Sequence, residues 1–200
     1  MRIFFKNVVI WILLMGFVSC KSTDEVVYND SNKLVKILPI QEKYGAIIGV
    51  TPEKVKPVVL YEFIDSWMGT PYKMGGETKK GIDCSFFAQF LFHDVYGSLI
   101  ERTAEKQFMA PSTDKFIGQE YLRQGDLLFF NPNGSQYYAI THVGVYLGHG
   151  KFVHSSSNRT ASGSNGVQIS NFKDKRWQDM FVAAGRKSLN NSRVTTSGSN

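Results

Sequence analysis

Residues 81–95, GIDCSFFAQFLFHDV, predict a helix that has a cysteine in its first turn. Apolar side chains recur there at intervals of three and four, the spacing of a helix with one buried face: Phe87, Phe90, Leu91 and Val95. Asp83 precedes them and is a favourable N-cap, because its carboxylate can accept the unpaired N–H groups of the first turn. Cys84 therefore lies at the start of this helix.

The segments on either side of this helix differ in their hydrophobic period. Residues 60–67 carry apolar side chains at helical spacing, and residues 103–110 predict a short third helix. From residue 126 onward the period changes to two, which predicts strands at residues 126–131, 141–147, 152–156, 167–170 and 180–184. Helices first and strands second favour an α+β fold with an antiparallel sheet.

The composition is that of one globular domain with a mildly basic balance. The chain has 200 residues, 42% of them hydrophobic, and a formal net charge of +6. No dense Lys/Arg block accompanies this charge, so no nucleic-acid partner is expected. Two cysteines, Cys20 and Cys84, are too few for a disulfide framework or an all-cysteine zinc site, and no metal or other cofactor is expected.

The N-terminal residues are typical of an export signal. Residues 1–19 combine Arg2 and Lys6 with an apolar run that is too short to span a bilayer. Cys20 follows a small residue at the end of this run, and the pattern resembles the signal of bacterial lipoproteins, in which that cysteine is acylated. An incidental cysteine in a soluble secreted protein is the alternative.

The remaining chain divides into three segments. Residues 20–57 are expected to be a lipid-anchored tether that becomes ordered as it meets the main domain. Residues 58–187 are expected to form that domain. Residues 188–200 are rich in Ser, Thr and Asn, which predicts a disordered polar tail.

Cys84 is the candidate nucleophile. The free N–H groups and the dipole at a helix start favour a thiolate, so the pKa of Cys84 is predicted to be lowered, with Asp83 opposing this effect slightly. The alternative is that Cys84 is a small buried apolar side chain, the commonest role of a lone cysteine. A nucleophilic thiol also needs a base within reach.

Two of the four histidines are candidates for that base. His93 lies on the same helix about 13 Å beyond the thiol and cannot reach it. His149 lies in a Gly-His-Gly turn that is expected to be exposed. His142 and His154 lie inside apolar strands, where a polar ring is unusual and suggests a function.

The turn between these two strands determines whether the two histidines share a face. A three-residue loop at residues 148–150 pairs Leu147 with Lys151 and places His142 and His154 on one face, about 7–8 Å apart between Cα atoms. A two-residue loop places them on opposite faces. Gly144, also on the histidine face, is expected to leave room there for the start of a helix.

Six segments follow one another with ordinary spacings: TPYKMGG (70–76), GIDCS (81–85), ERTAEKQ (101–107), QGDLLFF (124–130), THVGVYLG (141–148) and KFVHSS (151–156). Together they resemble the NlpC-type family of bacterial cell-wall cysteine peptidases over about residues 60–187. The resemblance implies a papain-like α+β fold, in which the cysteine helix packs on an antiparallel sheet of about five or six strands. It also implies that Cys84 is the nucleophile, His142 the general base and His154 the residue that orients it.

The resemblance extends to residues around the nucleophile. Tyr72, Asp83 and Ser85 occupy positions that the family uses near the amino end of the substrate. Phe86 is a departure, because the family usually has glycine two residues after the cysteine, and its side chain is expected to crowd the groove.

The implied reaction is hydrolysis of an amide bond in peptidoglycan stem peptides or cross-links. The carboxylates of that substrate suit a basic domain. A lipid anchor would hold the protein, expected to be a monomer, in the cell envelope, on the outer membrane facing the periplasm or on another membrane surface. Two alternatives remain open: an acyltransferase or amidase on the same scaffold, and a non-catalytic wall-binding lipoprotein.

Overall fold

Five α-helices and ten strands form the part of the chain that the computed structural model describes, which is residues 26–28, 34–157 and 165–188. The helices are α1 (Pro39–Ile48), α2 (Val58–Trp67), α3 (Cys84–Tyr96), α4 (Ala104–Met109) and α5 (Lys175–Met180). The strands are β1 (Val26–Tyr28), β2 (Leu34–Lys36), β3 (Glu77–Thr78), β4 (Gly81–Ile82), β5 (Thr113–Phe116), β6 (Leu127–Phe130), β7 (His142–Gly148), β8 (Lys151–Ser156), β9 (Gly166–Asn171) and β10 (Phe181–Lys187). Short 3₁₀ turns occupy Pro52–Lys54 and Gln119–Tyr121.

Six of the strands form one antiparallel sheet in the order β5-β10-β6-β7-β8-β9. The predicted α+β class is confirmed, and all five predicted strands belong to this sheet. The sequence does not predict β5, a largely polar edge strand that pairs only with β10. It also does not predict α5, which has six residues and a single buried side chain, Trp177.

The sheet is covered on both faces, and the two faces have different roles. Helix α3 packs on one face, where its buried side chains share a core cluster with alternate residues of β7: Phe87, Leu91, Val143, Val145 and Leu147. The other face carries a second, mostly aromatic cluster, which includes Phe130, Phe152, Phe172 and Trp177. His142 and His154 lie among the rings of this second cluster.

The predicted pairing of Leu147 with Lys151 across the β7–β8 turn is wrong. Lys151 instead pairs with Gly148, and a bulge between Tyr146 and Gly148 adds one residue to β7. Val145 then pairs with Val153, so the register beyond the bulge is the one that a three-residue loop would produce. A tight turn and a bulge together therefore leave the two histidines on one face.

The expected role of Gly144 is also wrong. A side chain at this position would lie 2.5 Å from the Phe152 ring, so the space beside the glycine is already occupied by an aromatic residue. Helix α3 packs on the opposite face of the sheet. Gly144 therefore makes room for Phe152 and not for the helix start.

Residues 37–57, which precede the predicted start of the domain, pack on it. Helix α1 lies against α2, where the Tyr44 and Tyr61 rings are 5.2 Å apart between centroids. Tyr44 also donates to Asp65 Oδ1 at 3.1 Å. These contacts join α1 to the first helix of the predicted domain.

Several predictions concern residues outside the described part of the chain. They are the signal at residues 1–19, the acylated Cys20, and all but the first residue of the tail at 188–200. Within the described ranges, the helices are too short or too polar to cross a bilayer.

Candidate active site

Cys84 is the first residue of α3, and Asp83 caps the helix as predicted. The Phe86 N–H donates to Asp83 Oδ1 at 2.7 Å. The thiol is 6% exposed and contacts the sheet through the backbone N–H of Val143, the residue after His142. A groove opens above it, lined by Tyr72, Met74, Gly75, Asp83, Cys84, Ser85, Arg102, Thr103, Ala104, Glu105, Ile140 and Thr141. The helix start thus brings the thiol close to the first residues of β7.

The pKa of Cys84 is not lowered as the helix position predicts. Burial raises it to about 11, and the negative charge of Asp83 adds to this increase. The N–H groups of Val143 and Ser85 favour the thiolate, but desolvation outweighs them. A thiol with this pKa is neutral at pH 7.

His142 and His154 form a hydrogen-bonded pair. His142 Nε2 lies 2.8 Å from His154 Nδ1, and their rings are nearly perpendicular. His154 is fully buried, and its Nε2 lies 2.9 Å from Ser170 Oγ on β9. This chain of contacts occupies one nitrogen of His142 and leaves Nδ1 as the ring atom available for proton exchange.

Trp177 covers the histidine pair, and the sequence analysis does not identify it. Its ring stacks on His142 with centroids 5.6 Å apart and meets His154 edge-on at 4.9 Å. Burial lowers the pKa of His142 to about 4, and the nearby positive charge of Arg176 acts in the same direction. Burial likewise lowers the pKa of His154, so both rings are neutral at pH 7. Neutral His142 can act as a base.

Asp83 and Ser85 belong to a network held by Arg102, a residue that the sequence analysis does not single out. The Arg102 guanidinium binds both carboxylate oxygens of Asp83, at 3.2 and 2.8 Å, and donates to Ser85 Oγ at 3.1 Å. Ser85 in turn donates to Asp83 Oδ1 at 2.9 Å. Tyr72 lines the same groove, and burial raises its pKa, with smaller effects from Cys84 and Asp83.

Gln107 joins this network to the helix start. Its buried Nε2 donates to the Ser85 carbonyl at 3.0 Å and to the Glu101 carbonyl at 2.7 Å. The loop that carries Arg102 is thereby tied to the first turn of α3. No spacing pattern in the sequence predicts the contact between Gln107 and Ser85, because the two residues are 22 positions apart.

The expectation that Phe86 crowds the groove is wrong. The Phe86 ring packs edge-on against Phe90, with centroids 4.4 Å apart, and it is not among the residues that line the groove. The Arg102 guanidinium lies 4.2 Å above its centroid. Phe86 therefore forms a cation–π contact with Arg102, at a distance where a cation and an aromatic face attract.

No group of three or more His, Cys, Asp or Glu side chains in the described ranges is arranged to hold a metal ion. The polar residues around Cys84 are instead bound to one another.

The raised pKa of Cys84 predicts how its reactivity depends on pH. In a Cys20→Ser background, where Cys84 is the single thiol, we expect iodoacetamide alkylation to accelerate about tenfold per pH unit from pH 6 to 9, because the thiolate fraction grows with pH below the pKa. Stopped-time mass spectrometry measures this rate. A rate that stays constant from pH 5 to 8 would instead reveal a preformed thiolate–imidazolium pair.

Comparisons with known proteins identify the family. Residues 69–186 match the model of the NlpC/P60 family, and this chain belongs to that family. It is 38% identical over 123 residues to a probable endopeptidase NlpC homolog of Haemophilus influenzae, covering 61% of this chain and 58% of that protein. It is 37% identical over 133 residues to the murein DD-endopeptidase MepS/murein LD-carboxypeptidase of Escherichia coli K12, covering 66% and 63% respectively.

A solved structure gives the same result for the fold. The crystal structure of an NLP/P60-family protein from Staphylococcus aureus Mu50, described as similar to a lipoprotein, aligns with a TM-score of 0.54 and 26% identity. The alignment covers 66% of this chain and 41% of that one. The aligned segments span about three fifths of the length of the two curated relatives. The predicted NlpC-type, papain-like α+β fold is confirmed.

Proposed function

We propose that this protein is a cysteine endopeptidase that hydrolyses amide bonds in peptidoglycan stem peptides or their cross-links. The observation that carries the proposal is the arrangement of Cys84 at a helix start beside β7, with a neutral His142 held by His154 at 2.8 Å. The names of the two relatives, an endopeptidase and a murein endopeptidase, support the choice of reaction and substrate.

The first chemical step follows from the protonation states of the two groups. Both the thiol and the His142 ring are neutral at pH 7, so His142 Nδ1 takes the proton as the sulfur attacks the carbonyl carbon. Before this transfer, the neutral His142 ring carries its one hydrogen on Nε2 and donates it to His154 Nδ1. His154 in turn donates from Nε2 to Ser170 Oγ, so the ring N–H of each histidine has an acceptor.

The later steps use the same groups. The Cys84 backbone N–H lies at the helix start and makes no helical hydrogen bond, so it is available to stabilise the oxyanion. Protonated His142 gives its proton to the leaving amine, and a thioester with Cys84 remains. Water then attacks this thioester, with His142 again acting as the base, and releases a free carboxylate.

Digestion of purified peptidoglycan tests the proposal. We expect the wild-type protein to release fragments in which each cleaved bond has gained one water, as measured by mass spectrometry of the soluble products. Fragments joined to a new amine acceptor would show acyl transfer instead. Binding to the wall without any product would favour the non-catalytic alternative.

The protein is proposed to act in the cell envelope, anchored by lipid on Cys20. This placement rests on the signal-like pattern of residues 1–20 and on the wall substrate in the relative's name. Two or more acyl chains would hold the domain at a membrane surface, where a single chain binds only marginally. The described chain from Ile37 onward packs on the domain, so residues 21–36 would link it to the anchor.

Replacing Cys20 tests the anchor. We expect Cys20→Ala to move the protein from the membrane fraction to the soluble fraction, or to leave its precursor uncleaved, because the acylation site is lost. Immunoblotting of fractionated cells and the mass of the mature N-terminus measure the outcome. Wild-type protein that is soluble without detergent and carries no fatty-acid mass would contradict lipidation.

A further inference from the structure

We propose that Glu105 is a specificity-determining residue that binds an ammonium group of the substrate in the groove above Cys84. This inference rests on the proposed function and adds to it the chemical class of one substrate group. Glu105 lies within the segment ERTAEKQ (101–107), and it forms no hydrogen bond with Cys84, His142 or His154. Three observations carry the inference: the position of the carboxylate, its lack of a countercharge, and the charge of the groove.

Glu105 lines the groove and is held there by a single contact. It is the second residue of α4, is partly buried, and lines the same groove as Cys84. The Ile140 N–H donates to its Oε2 at 2.6 Å, which fixes the carboxylate between α4 and the segment that leads into β7. The other oxygen, Oε1, accepts no hydrogen bond from the described residues. An ordered carboxylate with one free oxygen therefore faces the substrate site.

The other charged groups of the groove neutralise each other. Asp83 and Arg102 form a bidentate ion pair, and Arg102 is the single cation that lines the groove. Glu105 forms no ion pair with a described residue. Two carboxylates and one guanidinium leave a formal charge of −1 on the lining, although the whole chain carries +6.

This charge determines which substrate group suits the site. A carboxylate of the substrate would meet the negative charge of Glu105 and be repelled at this position. An ammonium group would form a charge-assisted hydrogen bond with Oε1. Because Ile140 already fixes the carboxylate, little side-chain freedom is lost when the ammonium binds.

A purely structural role for Glu105 is the competing explanation. The carboxylate would then serve only to accept the Ile140 N–H and hold the loop before β7. The substitution Glu105→Gln separates the two roles, since glutamine keeps an oxygen acceptor for Ile140 and loses the negative charge. Glu62→Gln is the matched control, because Glu62 is exposed on α2, lies outside the groove and undergoes the same change of charge.

The test compares two forms of one substrate. A muramidase digest of diaminopimelate-type peptidoglycan is prepared with its free amines intact, and a second portion is treated with acetic anhydride to convert them to neutral amides. We expect the wild-type protein to cleave the intact digest about tenfold or more faster, the effect of one charge-assisted hydrogen bond. We expect Glu105→Gln to lose this preference and Glu62→Gln to keep it. The rates of product formation are measured by chromatography and mass spectrometry.

Other outcomes overturn the inference in distinguishable ways. Equal cleavage of both digests by the wild-type protein would show that no ammonium is recognised. An equal loss on both digests in Glu105→Gln, with the preference intact, would assign Glu105 a structural role. If the wild-type protein cleaves neither digest, the proposed function fails and this inference fails with it.

Discussion

Replacing Cys84 by alanine is expected to lower the rate of peptidoglycan hydrolysis by ~10⁴-fold or more, the scale of a lost nucleophile. Without the sulfur there is no thioester, and none of the remaining groups that line the groove can replace it as a nucleophile beside His142. The fold should persist, because alanine is only slightly smaller than cysteine and also suits the apolar cluster in which Cys84 is buried. The rate of product release from purified peptidoglycan measures the effect.

Two measurements make this result interpretable. The melting temperature of Cys84→Ala should stay within a few degrees of the wild-type value, which separates a chemical effect from unfolding. Cys20→Ala is the matched control, because it removes the other cysteine and should retain full activity in detergent-free assays with soluble fragments. Substantial cleavage by Cys84→Ala would show that the nucleophile is elsewhere.

Replacing His142 by asparagine is expected to be at least about a hundredfold more damaging than the same change at His154. His142 must accept and return a proton, and an amide cannot do so. To orient His142, His154 needs only the contact at Nδ1, and the amide oxygen of asparagine can occupy nearly the same position. The rate of stem-peptide cleavage measures both variants.

A third variant tests which contact of His154 matters. Glutamine places its amide near the position of Nε2, so His154→Gln should keep the contact with Ser170 and lose the contact with His142. We therefore expect the activity of His154→Asn to exceed that of His154→Gln, with His154→Ala also losing much of it. Because His154 is fully buried, the melting temperature of each variant is measured alongside. Equal loss in the two asparagine variants would remove the distinction, and the reverse order would exchange the roles of base and orienting residue.

The sequence predicted the helix start at Cys84 because the signals are local. Asp83 acts as the N-cap, and the apolar side chains that follow repeat at helical spacing within one continuous segment. The face shared by His142 and His154 was not fixed in the same way, because a three-residue loop and a two-residue loop give opposite results and the structure has the tighter turn together with a bulge. The bulge beside Gly148 changed the individual pairing without changing that face.

The missed residues of the site share one property, which is that their partners are distant in sequence. Ser170 reaches His154 across the β8–β9 pair, and Trp177 reaches both histidines from a six-residue helix with no periodic pattern. Nothing in the segment around Arg102 marks it as a site residue. Its role follows from the ion pair that it forms with Asp83 in the folded structure. No spacing rule connects such residues.

The pKa of Cys84 and the charge of the groove also could not be predicted from the sequence. The position of Cys84 at a helix start predicted a lowered pKa, but burial raises it to about 11. The chain as a whole carries a formal charge of +6, but the described residues that line the groove carry a formal charge of −1. Desolvation and local charge depend on which surfaces meet after folding.

The sequence by itself therefore determined the class of fold and the helix start that carries the thiol, since both follow from residues that are neighbours along the chain. The three-dimensional structure decided the common face of His142 and His154, the protonation states of Cys84 and His142, the contact of His154 with Ser170 and the charge of the groove. These properties arise from packing between segments, where burial removes water and brings together groups that sequence distance keeps apart.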